Sequence, residues 1–268
     1  MIETAYAKIN LALHVRRRRD DGYHELETLF AFVDAGDRLS VAPAPQDQLR
    51  TIGLFGRELA DPFGNIVMQA LSALPRPQGW AVTLEKNLPV AAGLGGGSAD
   101  AGALFRLYDR EYGLPVDWHA RASALGADVP ACVRSVTAVG RGTGTELAEV
   151  ESDLTGMAVL LVNPRVPLST GPVFKAWDGQ DRGPMPDGPV SEVALNGRND
   201  LETPAIALCP QVASVLAALA ETQPRLARMS GSGATCFALY DTADARDAAA
   251  ASLAAKQPGW WQMAGALR

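Results

Sequence analysis

The sequence predicts an α+β fold, built as one large domain or two closely joined ones. Three observations lead there. The first half is rich in strand-like alternation, with helical segments following the strands without strictly alternating with them. The chain, at 268 residues, is long enough to bury a sizeable core. Its 47% hydrophobic content, against 20% charged residues, is that of a globular protein.

Residues 2–15 are rich in β-formers and alternate loosely, which predicts a strand buried in its later half. Lys8 stands in the middle of it, either as an edge-strand charge or as a functional cation. Asp20-Asp21-Gly22-Tyr23-His24 is a turn signal. Residues 25–42, interrupted by Ala35-Gly36-Asp37, read as a run of antiparallel strands, and residues 50–55 as a further short one. Asn65 to Leu74 has helical periodicity, with Asn65 as N-cap and Pro75 beyond the end. Trp80 to Glu85 alternates again and runs into Pro89–Ala99, P-V-A-A-G-L-G-G-G-S-A.

Gly93, Gly95, Gly96 and Gly97 crowd that stretch, and Ala101, Leu104, Leu107 and Tyr108 then recur at helical spacing. The loop therefore feeds a helix N-terminus, where free N–H groups and the positive dipole end favour an anion, phosphate above all. The plain alternative is a flexible surface loop.

Further on, Trp118 to Leu125 predicts a short helix. Gly126-Ala127-Asp128-Val129-Pro130 predicts a shaped turn in which Pro130 pushes Val129 out of the helical region. By itself, Asp128 reads as a cap or turn carboxylate. The glycines within 136–147 suggest a strand with close backbone contacts. A composition change over 149–153 divides the chain into 1–152 and 153–268. Beyond it come a buried strand over 157–163, a short helix over 169–177 and a Gly/Pro/Asp-rich loop or lid over 178–192. A helix over 205–221 presents Val212, Val215, Leu216 and Leu219 on one face, with Pro210 breaking or kinking its start. Glycine-rich Met229–Thr235 leads into a strand, Cys236–Tyr240, followed by a helix over 243–256 and a last strand, Trp260–Leu267.

Charge and cysteine usage exclude several functions. A net charge of 24 − 30 = −6 argues against a nucleic-acid surface. Arg16-Arg17-Arg18-Arg19 is answered at once by Asp20-Asp21, a solvated hairpin end of which one arginine could touch an anionic ligand. Cys132, Cys209 and Cys236 form no C-x-x-C pair, so no zinc or redox motif is suggested, and their sparse, odd number fits a reducing compartment. There is no apolar signal core at the start and no run near the roughly 20 apolar residues of a membrane helix. The expectation is a soluble cytoplasmic protein, a monomer or weak homodimer, without nucleic-acid or membrane partners.

The glycine loop discriminates among phosphate-binding families. A Walker loop requires a lysine before Ser98, and none is there. A dinucleotide fingerprint forced onto Gly93-x-Gly95-x-x-Ser98 needs a parallel βαβ start, whereas the preceding segments look antiparallel and the loop falls in mid-chain. The further signatures of protein kinases are absent.

The stretch Pro89–Ala99 resembles the second motif of the small-molecule kinases named for galactokinase, homoserine kinase, mevalonate kinase and phosphomevalonate kinase, the GHMP kinases. Their other two motifs have counterparts in order: the N-terminal strand carrying Lys8, and Met229-Ser230-Gly231-Ser232-Gly233-Ala234. The segments Ala7–Leu13, Asp20–Leu26, Gly93–Ala101, Gly126–Pro130 and Arg198–Glu202 narrow the resemblance to a branch acting on a cytidylated methylerythritol. Ala91 and Ala92 stand where that branch often has glycines, and Ala99 where it has a second serine.

The resemblance implies the GHMP kinase fold, with two subdomains and the active site in the cleft between them. It implies ATP and Mg²⁺ as cofactors, and transfer of the γ-phosphoryl group to the 2-hydroxyl of a cytidine-diphosphate-linked methylerythritol in non-mevalonate isoprenoid synthesis. Pro89, Val90, Ala91, Ala92, Gly93, Leu94, Gly95, Gly96, Gly97, Ser98 and Ala99 would hold the phosphates, with Asn65 on the nucleotide side. Ser98 and Asp100 are candidates for the metal, which the sequence leaves unassigned. Asp128 would be the base, and Lys8 the cation that keeps it ionised and steadies the moving phosphoryl group. His24 would read the cytosine edge with Tyr23 nearby and Phe174 stacking beside Thr170, while Asn10 would bond the erythritol part. A sibling kinase acting on homoserine or mevalonate is one alternative. A non-catalytic nucleotide-binding module, which a distant Lys8 and Asp128 would favour, is another.

Overall fold

Strand β1, Ile2–Arg18, and strand β2, His24–Ala44, are joined by the predicted turn, and both are far longer than an average strand. The computed structural model describes residues 1–59 and 64–268, and divides the chain into two packing units. The first holds Met1–Lys8, Ala35–Val90 and Gly95–Ser135; the second holds Ile9–Asp34, Ala91–Leu94 and Val136–Arg268.

The sequence suggested that Ala35-Gly36-Asp37 breaks β2, but the strand runs through it. Gly36 is there for space: a Cβ would lie 1.9 Å from the carbonyl oxygen of Ala5. In the first unit, the end of β2 pairs antiparallel with β4, Gly79–Glu85, from Arg38↔Glu85 to Ala44↔Gly79. Strand β3, Gln48–Ile52, lies parallel to β4, not antiparallel as the sequence had suggested, because helix α1, Ile66–Ala73, occupies the connection. The strand expected over 50–55 stops at Ile52 and gives way to a 3₁₀ turn over Gly56–Leu59.

Asn65 caps α1 as predicted, its side chain accepting from the Val67 N–H at 2.9 Å. Helix α2, Gly96–Tyr112, packs on α1 and on α4, Val129–Arg134, and α3, Trp118–Leu125, lies against both. The α2–α4 crossing is close at Gly102, where a Cβ would come within 2.5 Å of the Cys132 backbone. Val129 opens α4 and is not excluded from the helical region. Pro130 sits in the first turn, where its missing N–H costs no intrahelical bond.

In the second unit the glycine-rich 136–147 is not one strand but a hairpin of β5, Ala138–Arg141, and β6, Glu146–Glu149. Gly142 and Gly144, at φ of 65° and 90°, form its turn. The expected close contact is at Gly140, whose Cβ would meet the Phe30 ring at 2.8 Å. A four-stranded antiparallel sheet has the order β10-β7-β9-β8, that is Trp261–Ala266, Ala158–Asn163, Cys236–Tyr240 and Leu226–Met229. Its core joins Leu160, Val162, Ala238 and Met229 to Val212, Val215 and Leu219. The expected helix over 205–221 is two, α7 (Glu202–Leu208) and α8 (Gln211–Ala220), divided before Pro210. Helices α5 (Thr170–Lys175), α6 (Val190–Asn196) and α9 (Ala243–Lys256) complete the unit. Among the described residues, no helix is long and apolar enough to cross a membrane.

Candidate active site

Lys8 is 5% exposed, so it is not an edge-strand charge. Its Nζ donates to Asp128 Oδ2 at 2.8 Å, within the first unit. Asp128 directly precedes α4, yet its side chain makes no capping bond to that helix. Its carboxylate is committed to the lysine and stays 33% exposed, while the lysine side chain is 7% exposed. The cation is thus buried and the carboxylate opens outward.

The glycine loop crosses the same place. Gly95 adopts φ 60°, and a Cβ there would approach Lys8 Cε at 3.2 Å. Gly95 is also the residue before α2, and no side chain caps that helix. The first amides of a 17-residue helix thus have no side-chain cap beside the lysine–aspartate pair, an arrangement of the kind that suits an anion. Ser98, half-buried in the first turn, has its Oγ 3.9 Å from a Cβ placed on Gly126, two residues before Asp128. Cys132 is no rival nucleophile: burial, then the negative Asp128, pushes its thiol up to about 12.

Residues Ala91–Leu94 of the loop belong to the second unit. There Ser230 Oγ donates to Gly93 O at 2.8 Å, the Thr235 N–H donates to Ala92 O at 3.2 Å, and Gly93 takes φ 77°. Asn199 Nδ2 in turn donates to Met229 O and Gly231 O, both at 2.8 Å. The motif Met229–Thr235 thus holds Ala92 and Gly93 in place. Ala92 is buried, whereas Ala91 and Gly97 are exposed.

Of the metal candidates, Asp100 does not fit. It is 1% exposed, and its Oδ2 accepts from Lys86 Nζ at 2.7 Å. Lys86 also bonds Asp37, and Asp37 Oδ1 accepts from the Asn87 and Leu88 N–H groups at 2.6 and 2.8 Å. Burial, and after it the like charge of Asp37, outweigh Lys86 and hold the Asp100 carboxyl well above the ordinary range. Burial alone would lower Lys86, but Asp100 and Asp37 raise it overall. No group of three His, Cys, Asp or Glu side chains suited to a metal exists among the described residues. Ser98 is the other metal candidate that the sequence offered.

The second unit gathers the residues expected to face the base. The His24 ring lies 5.0 Å from Phe174 and, edge-on, 5.8 Å from Trp177. Burial, then Arg18, lowers the His24 pKa, so the ring is neutral and offers one donor and one acceptor. Its Nε2 is buried with no hydrogen-bond partner among the described residues. Tyr23 is 67% exposed. Thr170 Oγ1 lies 2.9 Å from Ser232 Oγ. Asn10 donates to Thr28 Oγ1 at 2.8 Å, leaving its Oδ1 buried without a partner among the described residues.

The basic run is mostly neutralised: Arg16 bonds Glu27 and Asp181, Arg17 bonds Glu25 and Arg19 bonds Asp21. Arg18 reaches the carbonyls of Lys175 and Trp177. The segment 178–189 is strapped down by Arg16–Asp181, by the Met185 N–H to Glu27 Oε2 at 2.6 Å, and by Arg198 Nη2 to Gly183 O at 2.8 Å. Sequence reasoning missed Lys86, Asp37 and Trp177 as parts of this architecture. Lys86 alone carried a signal, being the charge that ends an alternating strand just before the loop.

Residues 65–135 match the family model described as the GHMP kinases N-terminal domain, and residues 191–259 that described as GHMP kinases C-terminal. The chain is 68% identical over 266 residues to 4-diphosphocytidyl-2-C-methyl-D-erythritol kinase of Novosphingobium aromaticivorans, covering 99% of this chain and 92% of the relative. The enzyme of the same name from Erythrobacter litoralis is 63% identical, with 99% of both chains covered. A crystal structure of 4-(cytidine 5'-diphospho)-2C-methyl-D-erythritol kinase superposes with a TM-score of 0.83 at 36% identity, covering 100% of this chain and 99% of that one. Homoserine kinase from Cytophaga hutchinsonii, at 16% identity and a TM-score of 0.69, covering 99% and 94% of the two chains, shares the fold.

Proposed function

The chain belongs to the GHMP kinase family of ATP-dependent small-molecule kinases, and on that premise we propose that it phosphorylates the 2-hydroxyl of 4-diphosphocytidyl-2-C-methyl-D-erythritol, in non-mevalonate isoprenoid synthesis. The observation that carries the site assignment is the 2.8 Å Lys8–Asp128 pair beside the uncapped start of α2. Asp128 takes the proton of the attacking hydroxyl as its oxygen bonds the γ-phosphorus and the bond to the ADP oxygen breaks. Lys8 and the amides of Gly96, Gly97 and Ser98 face the charge spreading over the phosphoryl oxygens. Ser98 is the residue that would help hold Mg²⁺, which would supply further charge neutralisation at the phosphates.

The orphan Oδ1 of Asn10 suits a hydroxyl of the erythritol part. Neutral His24 suits the donor and acceptor edge of cytosine, with Phe174 and Tyr23 offering ring faces. Asn65 is a weaker nucleotide contact, because its oxygen already caps α1. We assign 1–152 to ATP and 153–268 to a second subdomain, a division that the family matches at 65–135 and 191–259 straddle. We also infer a cytoplasmic monomer or weak homodimer, in keeping with three free buried cysteines.

The test is ADP release with ATP-Mg²⁺ and the cytidylated substrate, run beside homoserine and mevalonate. Turnover confined to the cytidylated compound is expected. A folded protein that ignores it overturns the assignment, and turnover of either other alcohol favours a sibling activity. A distant Lys8 and Asp128 would have favoured the non-catalytic alternative, and the 2.8 Å contact gives it no such support.

A further inference from the structure

Phosphoryl transfer does not call for the cluster of Lys86, Asp37 and Asp100, yet its members are 2%, 0% and 1% exposed. Buried ion pairs are poor devices for stability, since apolar replacements often do as well. Their placement is specific instead. Lys86 ends β4. Asp37, from β2, holds both Lys86 and the N–H groups of Asn87 and Leu88, the two residues that lead to Pro89. Asp100 is the fifth residue of α2. A Cβ on Gly96, the first residue of α2, would lie 3.1 Å from Lys86 Nζ and 3.8 Å from Asp37 Oδ2. The first helical turn therefore rests directly on the ammonium. Asp100 accepts this position although its Oδ1 is left buried without a partner among the described residues.

We propose that Lys86, clamped between Asp37 and Asp100, is a positioning residue for ATP: it fixes the first turn of α2, and with it the phosphate-facing amides, against the end of β4. Lys86 touches neither reacting atom; it acts through Gly96 and the residues that follow. A displacement of about an ångström at such a site can cost up to a hundredfold.

The inference rests on the kinase assignment, and its test is chosen to survive that assignment's failure. ADP affinity is measured by calorimetry alongside both KM values and kcat, for Asp100→Ala and Asp100→Asn. Asp100→Ala removes the tie between α2 and Lys86. It is expected to weaken ADP and raise the KM for ATP about tenfold, with the KM for the alcohol within about twofold. Asp100→Asn keeps an oxygen for the ammonium and is expected to restore most of the affinity. Equal nucleotide affinity in Asp100→Ala, a parallel rise in both KM values, or an Asn variant as impaired as the Ala variant overturns the proposal. If Asp100→Ala does not fold, Asp100→Ser, with a shorter-reaching hydroxyl and a smaller void, is read by the same criteria. Loss of turnover in the unmutated protein would strike the kinase assignment alone, because ADP binding is read without it.

Discussion

Replacing Asp128 by Asn isolates the proton acceptor from the ion pair. The amide oxygen can still face Lys8 Nζ, now 2.8 Å from Oδ2, so the lysine keeps an acceptor. The carboxylate is 33% exposed but the lysine only 7%, so the lost Coulomb attraction is partly screened and amounts to about 1–3 kcal/mol. At this chain length that lowers the melting temperature by about 2–4 °C per kcal/mol, which leaves the protein folded for the assay. The base is a different matter. A positioned general base contributes about 10²–10⁴ in rate, or roughly 3–5 kcal/mol of barrier. Turnover should therefore fall by that factor. The KM for ATP should stay within about threefold, because the phosphate-facing amides belong to α2 and not to the Asp128 turn. The assay is coupled ADP release with both substrates varied, paired with a thermal melt. A folded Asp128→Asn protein within tenfold of the parent kcat would refute the assignment of Asp128 as base.

Gly95→Ala forces a Cβ to 3.2 Å from Lys8 Cε at a φ of 60°. The strain is about 1–2 kcal/mol, and the KM for ATP should rise more than the KM for the alcohol in steady-state kinetics. His24→Ala should raise the KM of the cytidylated substrate at least about tenfold, the cost of leaving polar groups unpaired, with ATP unaffected; equal KM values would remove His24 from base recognition. His14 is lowered from 6.5 by burial and then by Arg198, with Asp200 and the Gly183 carbonyl opposing. The unfolded chain therefore binds the proton more readily. The His14 contribution is complete above pH 6.5 and is lost as pH falls through the lower folded value. Urea titrations should show less stability at acid pH, with a shallower slope in His14→Gln; identical slopes would contradict this.

Much of the local structure was legible because its causes lie within a few residues. Asn65 caps α1 through a bond to Val67 two positions on. Helix α9, Ala243–Lys256, matches its expected span, with Thr242 as its cap. The glycine loop feeding α2 was legible for the same reason: glycines followed at once by a regular apolar stripe are a local pattern. Where local rules failed, a distant neighbour had decided the outcome. Gly36 looked like a strand breaker until Ala5 lay against it, and Asp100 was one of two open metal candidates until Lys86 and Asp37 enclosed it.

The sequence by itself determined the α+β class, most of the longer helices and strands, and the order of motifs that marks the GHMP kinases. Which charges meet was not legible in the residues themselves: the resemblance implied the Lys8–Asp128 pair, and only tertiary structure showed the Lys86–Asp37 pair. Lys8 and Asp128 are 120 positions apart, and Lys86 and Asp37 are 49 apart. A dihedral preference or a cap acts over one turn of chain. The pairing of a buried charge depends instead on which strand or helix folds over it, because an ion removed from water must find its partner wherever the fold delivers one.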